Sequence, residues 1–199
     1  MTETPAPARA GARERILTTA GSLFYNEGFG AVGIDRIIAE AGVAKATLYH
    51  HFASKDDLIV AYLEQANHSF WRWIDGDVDA TARGGDLLVE IFDLVERQAT
   101  DDNCRGCTFQ VTAAEFPDPA HPAHIVAARH KREALDRFTT IADEAALTRP
   151  ADLGAALVLL MDGAWAATRM FGADNHSKGL RTTVETLVAA HTPAATTHW

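Results

Sequence analysis

Residues 41–58 read AGVAKATLYHHFASKDDL, and this stretch decides how the rest of the chain is read. Gly42 stands where a tight turn wants a residue without a Cβ, and Val43, Leu48 and Phe52 then fall on one side of a short helix. That leaves Lys45, Ala46, Thr47, Tyr49 and His50 for the outward side, with His51 beside them. Ser54 follows as a helix cap, with Asp56 and Asp57 in the first turn, where the helix dipole favours negative charge. The chain carries a formal net charge of −9, yet it gathers two lysines, two histidines and a tyrosine around this turn. An anionic partner is the simplest reason for that local reversal.

The same periodicity extends in both directions. Ile16, Leu17, Ala20, Leu23 and Phe24 recur at helical spacing between Arg9 and Glu27, and Gly28 stands where the helix should end. Ile34, Ile37, Ile38 and Ala41 make a shorter stripe, so the two segments around Gly42 form a helix-turn-helix. Leu58, Ile59, Tyr62 and Leu63 line a fourth helix expected to reach about Asp75. The polar segment DGDVDATARGG, residues 75–85, is expected to be a loop. Further helices are expected over 86–100, 107–116, 121–147, 151–171 and 175–191, with the Pro-rich break PDPAHP before the long one. No strand alternation and no internal repeat is visible. The expected fold is all-α with about nine helices: an N-terminal three-helix helix-turn-helix domain over 9–54 and a larger helical domain over 55–195, linked by the helix over about 55–75.

Composition narrows the function. Up to Tyr62 there are six Lys/Arg against seven Asp/Glu, so nearly all the negative charge belongs to the body and only the head suits an anion. The run TETPAPARAGA lacks an apolar core and does not read as a signal peptide, and Asp162 and Arg169 interrupt the most apolar stretch, which fits a buried helix better than a membrane span. Two cysteines do not make a disulfide framework. A cytoplasmic protein with no membrane partner is expected. No nucleophile elbow, phosphate loop, HExxH or diagnostic carboxylate pair is present, so no enzyme is expected.

The segment IDRIIAEAGVAKATLYHHFASKDDLIVAYL, residues 34–63, resembles the DNA-binding region of the TetR family of transcriptional regulators, through AGV, TLYHHF and SKDDL. The resemblance is diagnostic from about Ile16 to Leu63 and extends in outline to the whole chain. It implies a dimer that binds a palindromic double-stranded DNA operator, with Lys45, Ala46, Thr47, Tyr49, His50, His51 and Lys55 at the interface. Lys45 and Thr47 would read base edges, small Ala46 would allow close approach, and Tyr49, His51 and Lys55 would hold the phosphate backbone. Gly33, Ala44 and Ala46 depart from the family's usual Ser or Thr, Ser and Gly, which puts the operator sequence in doubt. The last two helices are expected to pair with a second subunit, making a homodimer.

The resemblance also implies a small-molecule effector held in the body, whose binding releases a repressor from DNA. Aromatic residues there could line an apolar cavity: Phe70, Trp71, Trp73, Phe92, Phe109, Phe116 and Trp165. Gln110, His124 and Arg169 are the expected polar contacts, and Cys107 a further candidate. Each of these, taken singly, reads more readily as core than as pocket. Cys104 and Cys107, followed by His121 and His124, give C-x2-C-x13-H-x2-H, but the histidine spacing is too short for a usual zinc site. No metal or cofactor is expected. An alternative regulator of the same fold would sense oxidants or electrophiles through this Cys-x-x-Cys pair at a helix start.

Overall fold

The computed structural model describes residues 11–194, and among these it contains nine helices and no strand. They are α1 (Ala12–Glu27), α2 (Ile34–Ala41), α3 (Lys45–His51), α4 (Lys55–Asp77), α5 (Gly84–Ala99), α6 (Thr108–Glu115), α7 (Pro122–Glu144), α8 (Pro150–Phe171) and α9 (Leu180–His191). Arg9, the N-terminal tail and residue 195 lie outside the described residues.

Two apolar clusters hold the fold. The first joins Ile16, Ala20 and Phe24 of α1 to Ile37 of α2, Leu48 of α3 and Leu58, Ile59 and Leu63 of α4. It also takes in Phe109 of α6 and Ala123, Val126 and Ala127 of α7, so the head is seated on the body through shared packing. The second cluster is the body core, built from α5, α7, α8 and α9 around Phe92, Phe138, Leu157, Met161 and Val184. Helices α7 and α8 approach closely at Gly154, where a Cβ would collide with Thr139 Oγ1 and lie 3.0 Å from the Thr139 backbone nitrogen.

Several boundaries differ from the sequence expectation. Helix α4 continues through Asp75 to Asp77, and α5 begins at Gly84, so the loop is shorter than 75–85. Helix α7 ends at Glu144, because Ala146 turns left-handed at φ 53° and Leu147 N–H returns to the Ala142 carbonyl at 3.0 Å. Helix α9 begins at Leu180 and not at Asn175. The Asn175 amide donates to the Ala99 carbonyl at 2.8 Å and its oxygen accepts from Ser177 N–H, fixing a local turn in competition with helix.

Helix α8 has the length and composition to cross a membrane, and 44% of its most apolar window is buried inside the fold. Asp162 on this helix pairs with Lys131 of α7.

Candidate DNA interface and body cavity

Gly42 ends α2 in the left-handed conformation (φ 61°, ψ 45°), and the chain turns through Val43 and Ala44 into α3. Leu48 is fully buried beneath α3 and Phe52 closes its end, so the helix is fixed by its underside. On the other side Lys45, Ala46 and His50 are exposed, Tyr49 is 44% exposed, and Thr47 and His51 are half-buried. Lys45, Ala46, Tyr49 and His50, at i, i+1, i+4 and i+5, therefore share one exposed face, and Thr47 and His51 flank it. Lys45 meets the exposed Asp35 at 3.3 Å, a screened pair that a phosphate could replace at little cost.

Lys55, expected at the phosphate backbone, also has a structural partner. Its Nζ lies half-buried, 2.6 Å from the Phe29 carbonyl oxygen, so the ammonium ties the start of α4 to the turn between α1 and α2. Asp57 N–H donates to Ser54 Oγ at 3.0 Å, which confirms Ser54 as the cap of α4. Gly33 precedes α2 without any side-chain cap. Arg36 braces the head by reaching Glu27 at the end of α1 and Glu40 one turn along α2.

The body holds a cavity of about 280 Å³ between α1, α4, α5, α6, α7 and α8, just below the lower end of typical ligand pockets, roughly 300 Å³. Trp73, Cys107 and Trp165 line it, as do Phe70 and Phe109. The other expected contacts lie elsewhere. Phe92 packs on Phe138 in the body core with ring centroids 5.5 Å apart. Phe116 stacks on His121 at the junction with the head, and the His124 ring bonds the Phe116 carbonyl oxygen. Gln110 donates to the Asp162 carbonyl, and exposed Arg169 donates to the Arg105 carbonyl. Trp71 lies under Arg137, outside the cavity lining.

Sequence reasoning missed Tyr25, Tyr62, Gln98 and His130, which also line the cavity, as does Cys104 of the Cys-x-x-Cys pair. His130 left the clearest trace, since it occupies the buried stripe of α7 between Val126 and Ala134 at i±4 spacing. Burial, with a smaller contribution from the Lys131 charge, lowers its pKa to about 3, so the ring is neutral. Burial likewise raises Tyr25 to about 12 and pushes Tyr62 upward, leaving both phenols protonated. Among the described residues no charged side chain borders the cavity. Among the described residues no three His, Cys, Asp or Glu side chains assemble as a metal site, and Cys104 and Cys107 are free thiols.

An exposed helix seated across a glycine turn, on a larger helical body, is the arrangement of a helix-turn-helix transcriptional regulator. The family model for bacterial regulatory proteins of the TetR family matches residues 16–62. A TetR-family transcriptional regulator from Streptomyces coelicolor is 36% identical with a TM-score of 0.85, covering 92% of this chain and 96% of its own. A TetR-type regulator from Streptomyces avermitilis is 31% identical with a TM-score of 0.82, covering 92% of this chain and 98% of its own. The chain belongs to the TetR family of transcriptional regulators. Among curated proteins, the transcriptional activator FasR of Mycolicibacterium smegmatis is 42% identical over 53 residues, 27% of this chain. That match spans 24% of FasR, about a quarter of its length. The relatives are transcriptional regulators.

Proposed function

We propose that the chain is a ligand-responsive repressor that binds a palindromic operator as a homodimer and leaves it when a small molecule enters the body cavity. The observation that carries the reading is the exposed face of α3, held rigidly over fully buried Leu48. Lys45 and Thr47 read base edges, Ala46 allows close approach, and Tyr49, His50 and His51 contact the sugar-phosphate backbone. Lys55 fixes the turn at Phe29 against α4 with one N–H and keeps two further donors for a phosphate.

Dimerisation is supported by the apolar surface that α8 and α9 leave open. Leu159 is 72% exposed and lies beside Leu160, Ala156 and Leu187 in one groove, while Met170 and Phe171 extend the exposed apolar face at the end of α8. A second copy paired here would present its recognition helix to the next half-site, about 34–36 Å away. The head then ends at Ser54, and α4 carries movement between the cavity and the DNA. The cytoplasm is the compartment this function requires. Fluorescence anisotropy on duplexes selected from a random pool tests the reading: steeply salt-dependent binding is expected, and its absence refutes it.

A second reading has its own support. Cys107 lines the cavity at the start of α6, where Lys131 Nζ, itself paired with Asp162, donates to its sulfur at 3.6 Å, so a thiol is within reach of a molecule in the cavity. In that reading an oxidant or electrophile, acting on Cys107, releases the DNA. DNA affinity left unchanged by mild oxidant, by a thiol-reactive electrophile and by Cys107→Ser would exclude it.

A further inference from the structure

We infer that the body cavity takes an uncharged aromatic molecule that donates a hydrogen bond, from a hydroxyl or N–H group, to His130 Nε2. The inference rests on the ligand-responsive reading above and names the chemistry of its ligand.

The ring's tautomer follows from its neighbours. Asn67 Nδ2 donates to Glu133 Oε2 at 2.8 Å, because a carboxylate only accepts; this orients the Asn67 amide. Its oxygen therefore faces His130 Nδ1 at 2.6 Å, and Nδ1 must carry the proton. A neutral imidazole with Nδ1–H leaves Nε2 as a bare acceptor. His130 is 2% exposed, and no described group bonds Nε2. No buried side-chain nitrogen or oxygen is sealed without a partner among the described residues, and the ring borders the cavity, so Nε2 opens into it.

The surroundings fix the ring and select the rest of the ligand. Phe109 stacks on it at 3.8 Å and 15°, and Phe70 meets it edge-on at 5.2 Å. Tyr62 directs its proton to Thr108 and Tyr25 to Cys104, so neither phenol supplies a donor to Nε2. Half-buried Gln98 adds one neutral amide. Lys131, whose Nζ reaches the cavity-lining Cys107 sulfur, is paired with Asp162. An ionised ligand would be taken out of water with no counter-charge, which is strongly unfavourable. Aromatic walls of Phe70, Trp73, Phe109 and Trp165 instead favour a flat apolar body.

The test is calorimetric titration of the full chain with 1-naphthol and with 1-methoxynaphthalene, which has no donor. Wild-type protein is expected to bind 1-naphthol about tenfold or more tightly, since an unmet buried acceptor is costly. His130→Phe is expected to bind both alike. Long-range 15N–1H spectra of the wild type read the tautomer independently of any variant: a protonated Nδ1 and a bare Nε2 that shifts on adding 1-naphthol are expected. Equal wild-type affinities, or an Nε2–H tautomer, overturn the inference while leaving the regulator reading intact. Binding of neither compound overturns the inference together with the cavity as a ligand site. Selective 1-naphthol binding with unchanged DNA affinity supports the inference and contradicts only the ligand-responsive reading.

Discussion

Glu115, at the end of α6, accepts the Gly30 backbone N–H at 2.7 Å. Its other oxygen accepts the Phe29 N–H at 3.2 Å, while Lys55 holds the Phe29 carbonyl from the opposite side. The start of the same helix, at Thr108 and Phe109, lines the cavity. An eight-residue helix, about 12 Å long, therefore spans the distance from cavity wall to the turn ahead of the helix-turn-helix. Glu115→Ala is expected to cost only about 1 kcal/mol, because the carboxylate is exposed. It should nevertheless reduce the ligand-induced change in DNA affinity severalfold, measured by anisotropy with and without a cavity ligand.

Packing between α7 and α8 gives a stability test. A Cβ on Gly154 meets Thr139, including its backbone, whereas one on Gly76 in α4 meets nothing within 4 Å. Gly154→Ala is expected to lower stability by about 1–3 kcal/mol through overpacking. Gly76→Ala should be neutral or stabilising by up to about 1 kcal/mol, because alanine is the better helix former. Urea denaturation of the two variants checks both signs.

His130 makes stability depend on pH. Its folded pKa of about 3 lies below the ordinary value of 6.5, so the unfolded chain binds the proton first as pH falls. This contribution is intact above pH 6.5 and is lost progressively between there and pH 3, at up to about 1.4 kcal/mol per unit. The double variant His130→Phe, Asn67→Leu removes the ring and its amide partner together. It is expected to flatten the denaturation free energy against pH across that window.

Leu159→Arg places a charge in the open groove between α8 and α9 without touching the buried core. Sedimentation velocity is expected to show a folded monomer in place of a dimer. Its DNA affinity should fall at least tenfold, because a single head covers only half a site. An unchanged dimer would move the interface elsewhere.

The head was legible because its determinants are local. Gly42 must turn left-handed, Ser54 must cap, and Leu48 and Phe52 must face inward, and each condition is written within a few residues. The cavity was only partly legible, because residue type does not reveal which core aromatic borders empty space. Phe92 and Trp165 look alike in sequence, yet one packs on Phe138 and the other lines the cavity. Tyr25 reaches the cavity from the head, a long-range relation that helical periodicity does not contain. The turn at Asn175 was hidden for the same reason, since its amide partner Ala99 is 76 positions away.

The most direct measurement is anisotropy of a selected operator duplex against wild type, Tyr49→Ala and Lys45→Ala over a range of salt. Wild-type affinity is expected to fall steeply with salt, Tyr49→Ala to weaken cognate and unrelated duplexes alike, and Lys45→Ala to change the preference between them. Variants that bind the operator as the wild type does would contradict a recognition surface on α3.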